Sequence, residues 1–415
     1  SEVITTKVVG IGQTLSEKIK LEFRVSSSTA ILGLGYIIGL KYSAIIAAGS
    51  FLSWFVLVPV VAYFGQHIIE PVGNNITLLI KDMSAEQIFR SYVRHIGIGG
   101  IAMAGLIGII RSSGIIKKAF TLGFQELFGK KVNEENMRTQ KDLPMKIIFG
   151  GLVVVAILVF VFFLFGVVDN LFQALVGLLI VLIISFLFTT VAATAIAIVG
   201  TNPVSGMTLM TLILSSAVLV SVGLSGPAGM VSALIIGGVV CTALSQAGAF
   251  ITDLKIGYWL GSSPYKQERW KFVGTIFSAA TVAWIIMVLN ETYGFTGDNA
   301  LVAPQANAMA AVIQPLMSNQ PAPWILYLGG AFIALILTIL KVPALAFALG
   351  MYIPMELNTP LLFGGLIAHF VATRSKDDKL NTARRERGTL IASGFIAGGA
   401  LFGVLSAILR YAGYN

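Results

Sequence analysis

A succession of long apolar stretches fixes the kind of fold this chain can adopt. A helix needs about 20 mostly apolar residues to cross a bilayer. Residues 44–64, 92–110, 145–168, 171–199, 207–222, 228–250, 272–289, 324–340 and 388–409 read this way. Hydrocarbon offers no water to an unpaired amide, so each crossing segment must satisfy its own backbone. That requirement outweighs the strand preference of the many Val and Ile residues. Charged residues make up 11% of the chain, against about 25% in soluble domains. Too little polar surface remains to coat a water-soluble globule. The expected class is an all-α polytopic membrane protein.

The net charge of +9 is not a nucleic-acid signal, because the basic residues gather in a few loops between apolar spans. Residues 111–146 and 374–388 are rich in Lys and Arg, whereas 290–323 contain neither. The positive-inside rule puts the first two in the cytoplasm and the third outside, with 252–271 also inside. Counting crossings from these loops, residues 343–373 must start and end in the cytoplasm. That segment is therefore a re-entrant hairpin or two broken crossings. Pro354 and Pro360 bracket Glu356-Leu357-Asn358, where the break is expected.

The same segment is one half of a repeat. AILGLGYIIGLKYSAIIAAG at 30–49 resembles AFALGMYIPMELNTPLLFGG at 346–365. Setting Tyr36 against Tyr352 pairs Ala30 with Ala346, Ile37 with Ile353, Ser43 with Thr359 and Gly49 with Gly365. Interrupted apolar segments at corresponding places in two halves of a membrane protein point to a transporter's binding site. The expected architecture is an internally duplicated bundle with two broken or re-entrant segments. Residues 1–110 would close the first half, 111–146 form a basic cytoplasmic loop, and 147–415 make the second half. If the halves are equal, a chain of roughly 630 residues is implied, with this one as its C-terminal two-thirds.

Several residues could carry chemistry. In Asn202-Pro203-Val204-Ser205-Gly206-Met207-Thr208, between two apolar spans, Asn202 and Ser205 stand at a helix N-terminus suited to a carboxylate. The plain alternative is a helix–loop–helix cap with Ser205 as N-cap. Ser27 and Ser28 open the first repeat copy, and Tyr36, Tyr352 and Asn358 lie within the two copies. These seven are the expected substrate contacts; Tyr36 and Tyr352 also suit an interfacial aromatic belt. Lys41 and Glu356 are ionisable residues in apolar surroundings, at nearly equivalent repeat positions. A charge at membrane depth costs at least about 2.5 kcal/mol, so it should be paired or functional. Glu356 is the expected proton-coupling residue, and the alternative places both at helix ends among lipid headgroups. His67 with Glu70, and His95 with Arg94, fall near span ends and read as solvated.

The sequence contains no H-E-x-x-H, CxxC or nucleotide-binding P-loop pattern, and one cysteine, Cys241. It gives no reason to expect a metal site, a cofactor, an ATP motor or an enzyme. A passive channel or structural membrane subunit is the competing class. Two broken segments in separate halves suit alternating access better than one open pore.

LGLGYIIG at 32–39, NPVSGMT at 202–208 and DLKIGYWLGSSP at 253–264, in that order, resemble the oligopeptide transporter family. The likeness is to its prokaryotic branch, related to the yellow-stripe-like transporters, and runs over roughly residues 22–410. The resemblance implies about 16 transmembrane segments arising by internal duplication. It further implies uptake of small peptides or peptide-like metal chelates, usually driven by protons. A multi-pass protein of the prokaryotic inner membrane is expected, with substrate, protons and lipid as partners and homo-oligomers open.

Overall fold

The structure is a computed structural model that describes residues 3–5, 10–72, 78–108, 110, 138–168, 170–199, 204–295, 304–317 and 323–413. It is helical almost throughout, with seven helices long and apolar enough to cross a membrane among the described residues. The chain divides into two compact units. One comprises Ser1–Ala104, Met287–Pro304 and Pro321–Asn415; the other comprises Gly105–Ile286 and Gln305–Gln320.

In the second unit the Gly226–Trp259 helix packs against Leu171–Val199 and Val204–Ser221. Small residues permit the approach: the Leu212 side chain fills the space a Cβ would take at Gly237. Thr208, Thr211, Ser215 and Ser216 are buried on the Val204–Ser221 helix. Thr211 and Ser215 donate to carbonyls of their own helix, Met207 at 2.9 Å and Leu212 at 3.2 Å, which settles their hydroxyls without water. Met145–Gly166 is nearly bare of protein contacts, with Phe165 81% exposed, as a lipid-facing helix requires.

Three loops are more helical than the charge pattern indicates, and the expected 374–388 loop shrinks to residues 374–377 because the Asp378–Tyr411 helix starts early. The expected 252–271 loop shrinks to residues 260–263, because the Gly226–Trp259 helix ends late and Pro264–Tyr293 starts early. Its charges sit on helix ends, where Lys271 pairs with Asp253. The expected outer loop 290–323 contains the Pro304–Met317 helix.

The first unit is built around the two repeat copies. The first copy is a helix, Thr29–Ile38, a break at Gly39, and a helix that begins at Leu40 and runs to Gly65 through a π-helical turn at Leu52–Leu57. The second copy is Ala344–Tyr352, a break at Ile353-Pro354, and Met355–Thr373. The expectation that 343–373 is not one straight helix is met. The break falls just before the expected Glu356-Leu357-Asn358, however, and Pro360 sits inside the second helix without ending it. Pro354 confines Ile353 to extended backbone, observed at φ −76° and ψ 137°, and so stops the helix there. A short ribbon, β1 (Val3–Thr5) antiparallel to β2 (Arg24–Ser26), lies outside the sequence reading. It brings β2 against the second copy, where the Thr359 hydroxyl donates to the Arg24 carbonyl at 2.9 Å.

Candidate functional site

The two broken helices pack against each other in reciprocal fashion. A Cβ on Gly35 would meet the Leu361 carbonyl oxygen, and one on Gly350 the Ile46 carbonyl oxygen. Likewise Gly49 abuts the Phe347 carbonyl and Gly364 the Leu32 carbonyl. Each contact maps onto its mate when Gly35 is superposed on Gly350 and Gly49 on Gly364. Self-reciprocal contacts are the mark of a two-fold relation. The structural register is therefore one residue away from the sequence alignment that set Tyr36 against Tyr352. In it Gly39 matches Pro354, and Lys41 matches Glu356 directly.

The breaks are maintained by equivalent side chains. Ser43 Oγ donates to the Gly35 carbonyl at 3.3 Å, and Asn358 Nδ2 donates to the Gly350 carbonyl at 3.1 Å. Donor and acceptor are eight residues apart in both copies. An unbroken helix would separate such residues by about 12 Å, so the chain folds back at each break. Gly39 achieves this with φ 82° and ψ 168°, a conformation open to glycine. Asn358 also donates to the Ile353 carbonyl at 3.0 Å, so its amide hydrogens are committed to the second break. Ser53 Oγ donates to the Met351 carbonyl at 3.2 Å from the first copy. At the second break the Asn358 bond supplies the Gly350 carbonyl with the donor that Pro354, lacking an N–H, cannot offer, whereas the Gly35 carbonyl also accepts the Gly39 N–H at 3.0 Å.

On one side of the second break stands an ion cluster. Arg24 Nη1 is 2.9 Å from Glu86 Oε2 and 3.8 Å from Glu356 Oε2, and Arg24 Nε is 3.6 Å from Glu22 Oε1. The Arg24 guanidinium lies 5.8 Å from the Trp54 ring centroid. Glu22 is buried and Glu356 nearly so, at 3% and 17% side-chain exposure. Arg90 pairs with Glu86 from the solvent side. Burial alone would raise the Glu86 carboxyl, but Arg24 and Arg90 outweigh it and hold it below its ordinary value of 4.5. Glu356 Oε2 is buried and makes no hydrogen bond among the described residues. The cation beside Glu356 is thus Arg24, while Lys41 is exposed.

Across the break, Arg94 Nη2 donates to the Tyr352 hydroxyl, and its guanidinium lies 4.5 Å from the Tyr352 ring centroid. Arg94 forms no ion pair with the described carboxylates, and its Nε is buried without a hydrogen bond. The sequence reading left Arg94 and His95 at a solvated span end. The helix instead begins at residue 85, so both lie in its interior and are partly buried. His95 packs its ring against Tyr327 at 5.7 Å.

The remaining expected contacts are dispersed. Ser27 is exposed, and Ser28 is an N-cap whose side chain makes no capping bond. Tyr36 is 8% exposed and Tyr352 1% exposed, so neither ring lies free at the membrane surface as a belt residue would. Asn202 lies outside the described residues. Ser205 falls one residue inside the Val204–Ser221 helix, so it is not that helix's cap. Among the described residues no cluster of His, Cys, Asp and Glu could hold a metal ion.

The two broken helices thus pack as a pair, with charged side chains on both sides of the second break. The model of the family described as "OPT oligopeptide transporter protein" matches residues 1–410. The chain belongs to the oligopeptide transporter family. This is a family of transporters, and the chain is a multi-pass membrane protein. It is also similar to a Haemophilus influenzae protein provisionally named as an oligopeptide transporter, with 28% identity over 200 residues. That match covers 42% of this chain and 31% of the relative, so the chain spans under a third of its relative's length there. Within this family the broken pair at 29–51 and 344–373 is the natural candidate site.

Proposed function

We propose that the protein is a secondary transporter of small oligopeptides in the cell membrane, driven by protons, with the second break at the centre of its site. The observation that carries this reading is the ion cluster at that break. Two arginines, Arg24 and Arg90, face three carboxylates, Glu22, Glu86 and Glu356. Glu356 is the coupling residue in this reading, because its contact with Arg24 is the longest of the three and its Oε2 makes no hydrogen bond among the described residues. Tyr352 and Arg94 supply the substrate contacts across the break. A guanidinium with a free Nε edge suits the planar carboxylate of a peptide terminus. Ser28 completes the proposed set of contacts within this unit. Peptide-like metal chelates are the second substrate class, carried by the family resemblance.

The experiment is uptake into proteoliposomes with and without an inward proton gradient. Wild-type protein accumulates di- to tetrapeptides only with the gradient. Glu356→Gln keeps size and hydrogen bonding but loses the titratable proton. It should exchange peptide across the membrane yet fail to accumulate it. Gradient-driven accumulation at wild-type level by well-folded Glu356→Gln protein would refute Glu356 as the coupling group.

A further inference from the structure

Two π-helical turns flank the second break. One is Leu52–Leu57; the other, Phe89–Val93, interrupts the helix that begins at residue 85. Trp54 of the first turn stacks on Phe89 of the second, with ring centroids 4.8 Å apart, and both rings are buried. Neither turn has a counterpart in the other repeat half among the described residues. In the structural register Leu52–Leu57 matches residues 367–372, which are ordinary α-helix. The helix that follows the second copy, Asp378–Tyr411, is α-helical throughout. A π-turn inserts one extra residue into a helix, is rare, and is found mostly at functional sites. The duplication thus singles out a feature that belongs to one break and not to the other.

The Phe89–Val93 turn stands between the two sides of the break. Before it, Glu86 joins Arg24, which also faces Glu22 and Glu356; after it, Arg94 holds the Tyr352 hydroxyl. Arg90, within the turn, pairs with Glu86 at 2.5 Å. In an unbroken α-helix, at about 100° per residue, Glu86 and Arg94 would point about 80° apart. The extra residue of the π-turn removes one such step and leaves them about 20° apart. The two therefore share one helix face, each engaged on its own side of the break. The turn that carries Glu86, Ala85–Ile88, is a self-contained unit. Ser84 Oγ accepts the Gln87 N–H at 3.2 Å, and Gln87 Oε1 accepts the Ser84 N–H at 2.8 Å. It can rotate about the helix axis without losing these caps.

We propose that the Phe89–Val93 π-turn couples the ion cluster to the Arg94–Tyr352 contact by passing between π- and α-helix. As a π-turn it holds Glu86 on Arg24 while Arg94 holds Tyr352. Passage to α-helix swings Glu86 by about 100° relative to Arg94. Arg24 then loses Glu86 and is left to Glu22 and Glu356, which favours the charged form of Glu356. The Trp54–Phe89 stack is the contact that this passage disrupts. The inference rests on the reading of Glu356 as the coupling group and of Arg94 as a substrate contact.

The test removes the extra residue. Ser91 is half-buried and carries no charge. Its deletion makes the helix regular while Glu86 and Arg94 keep their relative direction, which locks the coupled arrangement. Hydrogen exchange of the full chain in detergent is the first readout. In wild type the amides of residues 89–93 should exchange at least about tenfold faster than those of residues 97–101 in the same helix. The deletion should abolish that difference and melt no lower than wild type. Phe89→Leu removes the stack, and should speed exchange at 89–93 while leaving 97–101 unchanged. In proteoliposomes the deletion variant should neither accumulate nor exchange trialanine, whereas Glu356→Gln keeps exchange. The hydrogen-exchange measurement needs no substrate, so failure of the transport reading shows separately, as wild type that does not accumulate the peptide. The proposal is overturned if 89–93 exchange as slowly as 97–101 in wild type, or if the folded deletion variant exchanges trialanine at the wild-type rate.

Discussion

Arg24 illustrates how a residue's meaning depends on its neighbours. In the sequence it is one charge ahead of a serine run; in the fold it is the shared partner of Glu22, Glu86 and Glu356. Removing it takes away the cation that Glu22, Glu86 and Glu356 share, and breaking a buried pair from one side costs about 3–5 kcal/mol. Arg24→Gln should therefore lower the melting temperature in detergent by several degrees, whereas Glu356→Gln should barely move it. Equal effects would mean that Glu356 is as firmly paired as Glu86. The Glu86 carboxyl, held below its ordinary value, gives a pH signature. Such a group contributes stability in full above its unfolded value, and that contribution fades as pH falls through the folded one. The melting-temperature difference between wild type and Glu86→Gln should thus be largest near neutrality and shrink as pH falls below the ordinary carboxylate value. Glu356 was legible in the sequence as a lone acid between two prolines. Arg94 was not, because its burial follows from where its helix begins and not from its own surroundings in the chain.

At the scale of elements, both broken helices were legible from repetition, charge topology and proline. The location of the second break was not, nor was the register. Proline acts on the residue before it as well as on its own amide, so Pro354 ends the helix at Tyr352 and Pro360 survives inside the next one. The alignment by identical residues chose Tyr36 with Tyr352, whereas the contacts choose Gly35 with Gly350. Close packing selects for a missing side chain more strictly than for a repeated one. This gives a matched pair of predictions. Gly35→Ala places a Cβ against the Leu361 carbonyl, and Gly350→Ala against that of Ile46. Backbone cannot yield as a side chain can, so each should destabilise by about 1–3 kcal/mol. The two should agree within error, while Gly150→Ala, with nothing within 4 Å, should be neutral or better. Thermal melts of the three variants decide it. The β1–β2 ribbon escaped the sequence reading because three-residue strands carry too little periodicity to see.

For the molecule as a whole, the distribution of Lys and Arg orients the chain in the bilayer. In a Cys241→Ala background, Lys376→Cys should react with a membrane-impermeant thiol reagent only from the cytoplasmic side, and Glu291→Cys only from the other. Reaction of both from one side would break the assigned topology. Class and spans were open to the sequence because hydrocarbon imposes them locally: apolar length and backbone self-sufficiency are each read within one segment. The two-fold contact of the copies, the gathering of Glu22, Arg24, Glu86 and Glu356, and the burial of Arg94 against Tyr352 were decided only in the tertiary structure. Each joins residues far apart in the chain, and the preferences of a single segment cannot specify which distant carbonyl a glycine will meet or which carboxylate an arginine will reach.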